Sequence, residues 1–228
     1  MAHKNVDIAV VVTGLRHETP GHKSLVFARP SRFNYEAGDW IDLAFDEDLS
    51  GGKTYSLSSS PTEPELVITF KEGQSGIKRT LQTAGPGDRY HITAYGNDDD
   101  FSLRQHRKSV LIAAGVGVAP FRSMVADMAD RSSADSVHLV YLNRTPDFLF
   151  RDEFDHWQGQ LPAVSIDYVI TQGMKSKDRR RLLSESVDTS VHYYYVAGPP
   201  AMIETTERVL MDAGVDHDDI RIDSFDGY

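Results

Sequence analysis

The sequence contains no cysteine among its 228 residues. This absence excludes a disulfide framework, a thiol nucleophile and a cysteine-ligated iron–sulfur cluster within the chain. The histidines are scattered and form no HExxH pair, so no metal site is predicted. No apolar run is long enough for a membrane span, and the first residues lack the basic flank and cleavage site of a secretion signal. A cytoplasmic location is therefore expected.

Basic residues are in the minority, with 24 Lys and Arg against 34 Asp and Glu and a formal net charge of −10. This balance argues against nucleic acid or an anionic membrane surface as the main partner. Hydrophobic residues make up 40% of the chain and aromatic residues 10%, which is enough for packed cores. The length allows one large domain or two small ones, and no internal repeat is visible.

The first hundred residues predict an antiparallel barrel or sandwich. Short runs rich in Val, Ile, Tyr and Phe alternate with Gly, Pro, Asn or Asp clusters at close intervals. One short helix is predicted, and the stretch Ala-Gly-Pro-Gly-Asp closes it. The predicted strands are 6–15, 22–29, 39–45, 53–59, 65–71 and 89–95, and the helix is 77–83.

Beyond about residue 103 the pattern predicts a parallel α/β sheet. Continuous apolar runs, typical of strands buried on both faces, alternate with helical stretches. The prediction is therefore a β-barrel domain over 1–103 and an α/β domain over 104–228. The predicted strands are 109–114, 136–142, 164–170 and 192–198, and the predicted helices are 119–131, 151–160, 178–186 and 199–213.

A glycine-rich turn, GVGVAP at 115–120, follows the first strand of the second half. A Rossmann fingerprint would place a third glycine where this chain has Pro120, but proline suits the first turn of a helix. An α/β sheet binds ligands beyond the carboxyl ends of its strands, which is where this turn lies. On its own the turn fits two interpretations: a plain strand-to-helix connection, or backbone N–H groups that bind an anion or a nicotinamide.

Four further motifs accompany this turn: KTYSLSSSP at 53–61, GQSGIKRTL at 73–81, VAGPPAMI at 196–203 and the tail RIDSFDGY at 221–228. In this order they resemble the ferredoxin–NADP reductase superfamily, and most closely its short stand-alone members without an iron–sulfur domain. Taken singly, they also fit a strand with Tyr55 outward, a capped surface helix, or an edge strand that buries Phe225.

The resemblance implies a flavin-binding N-terminal β-barrel and a C-terminal α/β domain that binds a nicotinamide nucleotide. It implies hydride transfer from NAD(P)H to N5 of FAD, and then delivery of electrons to a soluble acceptor such as an acidic ferredoxin or flavodoxin. Ser56 would bond to N5, Tyr55 would pack along the flavin, and Asp223 with Phe225 would flank it. The implied flavin-binding residues are Lys53, Thr54, Tyr55, Ser56, Leu57, Ser58, Ser75, Gly76, Ile77, Lys78, Arg79, Phe225 and Tyr228.

The second domain would hold the nicotinamide nucleotide through its own set of residues. Near the site of the 2′-phosphate, Gln172 replaces an expected arginine, while five basic residues between 175 and 181 could supply charge instead. This favours NADPH over NADH, although the same residues also fit a solvated helix start. The implied nucleotide-binding residues are Gly115, Val116, Gly117, Pro120, Thr171, Lys175, Arg179, Gly198, Pro199, Pro200 and Met202.

Two replacements depart from the family pattern. Lys53 stands where the family has arginine and lacks the bidentate fork, and Ala197 stands in place of a cysteine beside the nicotinamide. These replacements keep open the alternative of a non-catalytic electron-transfer or nucleotide-sensing subunit. A second alternative, an NAD(P)H-dependent reductase of free flavin, ferric chelates or quinones, stays open because the next redox centre lies outside the chain. The sequence leaves the oligomeric state and the physiological acceptor open.

Overall fold

The computed structural model describes residues 4–45, 48–98, 100–188 and 190–225, with the backbone alone for residues 48–52. The chain forms two compact units. The first consists of Met1–Ser102 and Ala119–Asp127, and the second of Leu103–Val118 and Met128–Tyr228. Within the described ranges, no helix combines the length and the apolar character that crossing a membrane would require.

The first unit is built on a six-stranded antiparallel sheet in the order β4-β3-β6-β1-β2-β5. Strand β1 pairs with β6 along its first half and with β2 along its second half, and a bulge separates Val12 from Gly14. An isolated bridge between Leu57 and Ile68 joins the two edges of the sheet, so the sheet nearly closes into a barrel. The strands are β1 Lys4–Thr19, β2 His22–Ala28, β3 Trp40–Phe45, β4 Asp48–Ser56, β5 Glu65–Lys71 and β6 Arg89–Gly96.

Alternating side chains from these strands fill the interior of the barrel. Leu25 and Phe27 on β2 and Ile68 and Phe70 on β5 are all 0% exposed. A single six-residue helix, α1 Gly76–Leu81, packs Leu81 into the same core. In the described part of this half, the sequence pattern therefore yields the predicted barrel with one short helix.

The second unit is built on a five-stranded parallel sheet in the order β11-β10-β7-β8-β9. Its central strands are almost wholly buried, which explains why they read as continuous apolar runs. The strands are β7 Ser109–Ala114, β8 Val137–Asn143, β9 Val164–Ile170, β10 Tyr193–Gly198 and β11 Ile220–Ser224, and the helices are α2 Ala119–Asp130, α3 Arg151–Gln160, α4 Ser176–Glu185 and α5 Pro200–Asp212.

Helix α2 follows β7 in the sequence, but most of it groups with the barrel unit. Its Phe121 stacks on Phe101 with the ring centroids 5.7 Å apart, and both rings are buried. The predicted fold class, an antiparallel barrel followed by a parallel α/β sheet, is confirmed.

Candidate functional site

The predicted flavin motif covers the end of β4 and the loop that follows it. Tyr55 pairs with Ile41 of β3 in the strand ladder, and its side chain is 2% exposed within the barrel core. Ser56 and Ser58 are also buried, whereas Thr54 is exposed and its hydroxyl donates to Asp42 over 2.8 Å. Tyr55 therefore points inward. Its packing along a flavin stays a prediction that requires the ring to become accessible.

The second flavin segment brings a lysine next to the first motif. Lys78 on α1 is 8% exposed, and burial lowers the pKa of its ammonium, with smaller contributions from the nearby charges of Lys53 and Lys71. The stem of Lys78 lies over Gly73, where a Cβ atom would come within 2.7 Å of Cδ. The charges of Lys53 and Lys71 disfavour the charged form of Lys78, and a bound anion would offset this effect. The residues present therefore fit the pyrophosphate of a flavin dinucleotide.

The remaining members of this segment lie around the start of α1. Ser75 is in extended conformation before the helix, and Ser75, Gly76 and Arg79 are exposed. Ile77 is half-buried and packs against the barrel core. Helix α1 thus exposes Gly76 and Arg79, whereas Lys78 is buried and Ile77 is half-buried against the barrel core.

The two predicted nicotinamide segments meet at the carboxyl edge of the parallel sheet. Strands β7 and β10 are neighbours, and Gly117 in the turn after β7 lies against the end of β10. A Cβ atom at Gly117 would lie 2.4 Å from the carbonyl oxygen of Ala197 and 2.7 Å from Cα of Gly198. Only glycine allows this approach. Two motifs that are about 80 residues apart in the sequence are thus in direct contact.

Gly115 opens this turn, in a left-handed conformation with φ of +56°. No atom lies within 4 Å of the position of a Cβ there, so the backbone at Gly115 faces open space. Val116 is buried, and Pro120 is the second residue of α2, where a missing N–H has no cost. The turn therefore has an accessible backbone at Gly115, followed by the buried Val116 and by Pro120 at the start of α2.

The segment after β10 is held by a second glycine. Gly198 has φ of +154°, and a Cβ atom there would lie 2.6 Å from Cε of Met202. Pro199 precedes α5 in extended conformation, and Pro200 is its first residue. Both prolines are exposed. The turn of the chain at Gly198 thus places an exposed, rigid Pro-Pro pair beside the Gly115–Val118 turn.

The predicted 2′-phosphate segment follows β9 at the same edge of the sheet. Thr171 is tied to Asn143 at the end of β8, because its N–H and its hydroxyl both donate to the Asn143 carbonyl, over 2.7 and 3.1 Å. Lys175, immediately before α4, and Arg179 on it are exposed. The five basic residues of this segment therefore form an exposed cluster around the start of α4: Lys175, Lys177, Arg179, Arg180 and Arg181.

The tail adds an edge strand to the sheet. Strand β11 runs parallel to β10 with Asp223 opposite Ala197, and the N–H of Phe225 donates to the Gly198 carbonyl over 3.1 Å. Phe225 is 8% exposed. The predicted tail residue Tyr228 lies outside the described residues. Phe225 is therefore buried next to the backbone of the predicted nicotinamide segment, and its place beside a flavin stays a prediction.

One polar cluster in the barrel unit was missed by the sequence analysis. The guanidinium of Arg122 on α2 binds both carboxylate oxygens of Glu63, and Arg122 is 8% exposed. The signal that could have found it is a single charged residue within the apolar start of α2, two positions after Pro120. Its partner is 59 positions away in the sequence, so no local pattern indicates the pair.

A cavity of about 360 Å³ lies in the barrel unit, and no predicted site residue lines it. Asp39 is a buried member of its wall, and its carboxylate accepts the N–H of Glu36 over 2.9 Å. Burial raises the pKa of Asp39. The side-chain amide of Asn97 donates to the Phe101 carbonyl over 2.9 Å, and this hydrogen bond closes the loop that follows β6. The cavity is thus separate from the predicted flavin and nucleotide residues.

Among the described residues, no group of His, Asp or Glu could hold a metal ion.

Comparisons with known proteins agree with this architecture. Residues 111–208 match the oxidoreductase NAD-binding domain family, a range that includes both the Gly115 turn and the Gly198 segment. The reductase subunit of stachydrine N-demethylase from Rhizobium meliloti is 28% identical over 166 residues, covering 68% of this chain and 46% of that protein. Dual oxidase 1 from Caenorhabditis elegans is 25% identical over 124 residues, and the chain spans only 8% of its length.

Solved structures share the fold over almost the whole chain. A ferredoxin NADP⁺ reductase from Neisseria gonorrhoeae, determined with bound FAD and NADP, has a TM-score of 0.80 at 19% identity and covers 96% of this chain and 98% of its own. The fold therefore extends across both units, not just the region that matches the family. Residues 111–208 are similar to the oxidoreductase NAD-binding domain family, and the chain as a whole shares the fold of this ferredoxin NADP⁺ reductase.

Proposed function

We propose that the chain is an FAD-dependent oxidoreductase that takes hydride from NAD(P)H and passes electrons to a separate acceptor. The observation that carries this proposal is the contact between Gly117 and the Ala197–Gly198 backbone, inside the region that matches the oxidoreductase NAD-binding family. The similar fold of the Neisseria reductase with bound FAD and NADP supports both cofactors.

At the flavin end, the residues present would hold a dinucleotide by charge and by hydrogen bonds. FAD supplies N5, which accepts hydride, and a ring system that can release electrons singly or in pairs. Lys53 and Lys78 would bind its pyrophosphate, because an anion relieves the repulsion between them. Ser56, at the end of β4, would bond to N5, and Tyr55 would contact the ring once accessible.

At the nucleotide end, the protein contributes orientation. The backbone of Gly115 is accessible to a ligand. The close contact between Gly117 and Gly198 packs the two turns against each other. Rigid turns of this kind place a bound ring within reach of its reaction partner without the loss of entropy that flexible loops would incur. No proton abstraction by a side chain is required for hydride transfer. Gly117, Gly198 and Pro120 are therefore the residues we assign to nicotinamide placement.

The charge cluster on α4 supports NADPH as the preferred donor. Lys175, Arg179 and their neighbours are exposed and lie beyond the carboxyl end of β9, where a 2′-phosphate would find several cations. Asp178 is the acidic residue in the first turn of the helix. The five basic residues between 175 and 181 outnumber it, so the net charge of the cluster is positive. We infer that the cluster supplies the positive charge of the arginine that Gln172 replaces.

A soluble acceptor protein such as an acidic ferredoxin or flavodoxin is the proposed recipient of the electrons. The relative from Rhizobium meliloti is a reductase subunit, which supports a partner that is a separate protein. Reduction of free flavin, ferric chelates or quinones is the enzymatic alternative. The inward position of Tyr55 and the alanine at 197 favour a second alternative, a nucleotide-binding subunit with little turnover.

Absorption spectroscopy of the purified chain tests the proposal. We expect oxidised-flavin bands after reconstitution with FAD, and anaerobic addition of NADPH should bleach them. FMN in a parallel reconstitution decides between the two flavins, and NADH in a parallel titration decides between the two nucleotides. A chain that takes up neither flavin, or one whose bound flavin neither nucleotide reduces, contradicts the proposal.

A further inference from the structure

A largely buried ion pair joins helix α2 to the loop that ends the flavin motif. Arg122 donates from Nη1 to Oε2 of Glu63 over 2.5 Å and from Nη2 to Oε1 over 2.9 Å. The same Nη1 donates to the Ser58 carbonyl over 2.9 Å. On the next residue of α2, the hydroxyl of Ser123 donates to the Ser59 carbonyl over 2.6 Å. Two consecutive residues of α2 therefore bind two consecutive carbonyls of this loop.

The partner carboxylate is itself fixed in place. The N–H of Ser60 donates to Oε2 of Glu63 over 2.6 Å, and the N–H of Glu63 donates to the Ser60 carbonyl over 3.0 Å. Arg29 donates to the Glu63 carbonyl over 3.1 Å. Glu63 thus belongs to a hydrogen-bonded turn with Ser60. The ion pair connects this turn to helix α2.

Burial distinguishes this pair from the surface ion pairs of the same unit. The side chains of Arg122 and Glu63 are 10% and 29% exposed, whereas those of Arg16 and Glu65 are 53% and 44% exposed. A buried pair contributes little net stability compared with apolar side chains of the same volume, but it fixes geometry because each charge requires its partner. A bidentate arginine fork adds directional specificity that a lysine cannot reproduce.

The two ends of the pair lie next to two predicted site segments. Ser58 is two residues after Ser56, and Arg122 is two residues after Pro120, and all four residues belong to the barrel unit. We propose that Arg122 and Glu63 are positioning residues for hydride transfer, which hold Pro120 and the start of α2 in a fixed place relative to Ser56. This inference rests on the proposed function, and it assigns neither side chain a contact with a cofactor.

Variants Arg122→Lys and Glu63→Gln test the proposal in the full chain reconstituted with FAD. Both keep the approximate size of the side chain. Arg122→Lys keeps the positive charge but removes the bidentate fork, and Glu63→Gln removes the negative charge. The matched controls are Arg16→Lys and Glu65→Gln, which change an exposed pair of the same unit. We expect the limiting rate of flavin reduction at saturating NADPH to fall by about 10- to 100-fold in the first two variants, since small displacements of reacting groups have effects of this size.

Further readouts separate positioning from folding. FAD content and the apparent nucleotide Kd should stay close to those of the wild type, whereas the thermal unfolding midpoint should fall in Glu63→Gln, which removes the carboxylate charge that Arg122 binds. Hydrogen exchange of the 119–127 amides, measured without FAD or nucleotide, should be faster in Arg122→Lys and Glu63→Gln than in the controls. The double variant should be no slower than the single variants, because one interaction is removed only once.

The possible results are distinct. Reduction rates within about twofold of the controls overturn the positioning role and leave the proposed function intact. Slower reduction that accompanies loss of bound FAD also overturns it, because the pair is then needed for cofactor binding and not for positioning. If the wild-type flavin is reduced by neither nucleotide, the proposed function fails, and this inference fails with it.

Discussion

Gly117 and Ala197 are in backbone contact, so close that a methyl group on Gly117 would lie 2.4 Å from the carbonyl oxygen of Ala197. Because the obstructing atoms are backbone, Gly117→Ala cannot be accommodated by a rotamer change. We expect it to destabilise the fold by about 1–3 kcal/mol, the usual range for overpacking, and to slow reduction of the flavin by NADPH. Urea unfolding and stopped-flow absorbance measure the two effects.

Gly159→Ala is the matched control for that variant. Gly159 lies in α3, and no atom is within 4 Å of the position of its Cβ. Alanine there should leave stability unchanged or raise it by up to about 1 kcal/mol, because it has a higher helix propensity than glycine. Equal behaviour of the two variants would show that the turn and the end of β10 are not packed as described.

Ser56→Ala tests the hydroxyl assigned to flavin N5. We expect flavin reduction to slow by roughly 10- to 1000-fold, comparable with removal of one aimed hydrogen-bonding group at other catalytic sites. FAD binding should persist, because the residues proposed to bind the pyrophosphate, Lys53 and Lys78, are unchanged. Rapid-mixing measurements with saturating NADPH give the rate. An unchanged rate would remove Ser56 from the mechanism.

A second buried serine provides the control for this substitution. Ser109 is 3% exposed at the first residue of β7, the opposite end of the strand from the Gly115 turn, and its hydroxyl has no hydrogen-bond partner among the described residues. Ser109→Ala should leave flavin reduction unchanged. It should also leave stability unchanged or slightly raised, because no hydrogen bond is lost.

Arg179→Gln tests whether the cluster at α4 selects NADPH. Removal of one phosphate-binding cation should raise the Kd of NADPH by about 10- to 100-fold, since a hydrogen bond to a charged group contributes about 1.5–3 kcal/mol. The Kd of NADH should change little. Arg208→Gln, on the exposed face of α5, is the control. Equal effects of Arg179→Gln on the Kd values of both nucleotides would show that the cluster does not bind the 2′-phosphate.

The sequence predicted regular elements accurately where one pattern dominated. Strand β5 at 65–71, strand β7 at 109–114 and helix α3 at 151–160 have the predicted bounds. Each combines a clear apolar period with turn residues at both ends, so local propensity and tertiary burial agree. The placement of the Gly115 turn beside the Gly198 segment was also predictable, because strands β7 and β10 end at the same edge of one sheet.

The features that escaped prediction depend on pairings between distant residues. The face on which Tyr55 lies is set by the register of β4 with β3, and a slip of one residue would reverse it. The Arg122–Glu63 pair spans 59 positions. The grouping of α2 with the barrel follows from the burial of Phe121 against Phe101, which the apolar pattern of the helix permits but does not specify.

Tyr35 should make the stability of the chain depend on alkaline pH. Its hydroxyl donates to the Ser60 carbonyl over 2.8 Å, and burial raises its pKa to about 12. The hydrogen bond with Ser59 and the charges of Arg29 and Arg122 oppose this rise, and the charge of Glu63 adds a smaller increase. In the unfolded chain the same hydroxyl has the ordinary tyrosine pKa of 10.0. Between these values the folded state holds more protons than the unfolded state, so the free energy of unfolding falls as the pH rises.

Comparison of the wild type with Tyr35→Phe isolates this contribution. Near pH 8, the variant should be less stable by about 0.5–1.5 kcal/mol through the lost hydrogen bonds. Above about pH 10 the wild type should lose stability more steeply, by on the order of 1.4 kcal/mol for each pH unit, so the difference between the two proteins should shrink or reverse. Other buried tyrosines, such as Tyr90, are common to both proteins and cancel. Urea unfolding at a series of alkaline pH values measures the difference, and a difference independent of pH would contradict the burial of the Tyr35 hydroxyl.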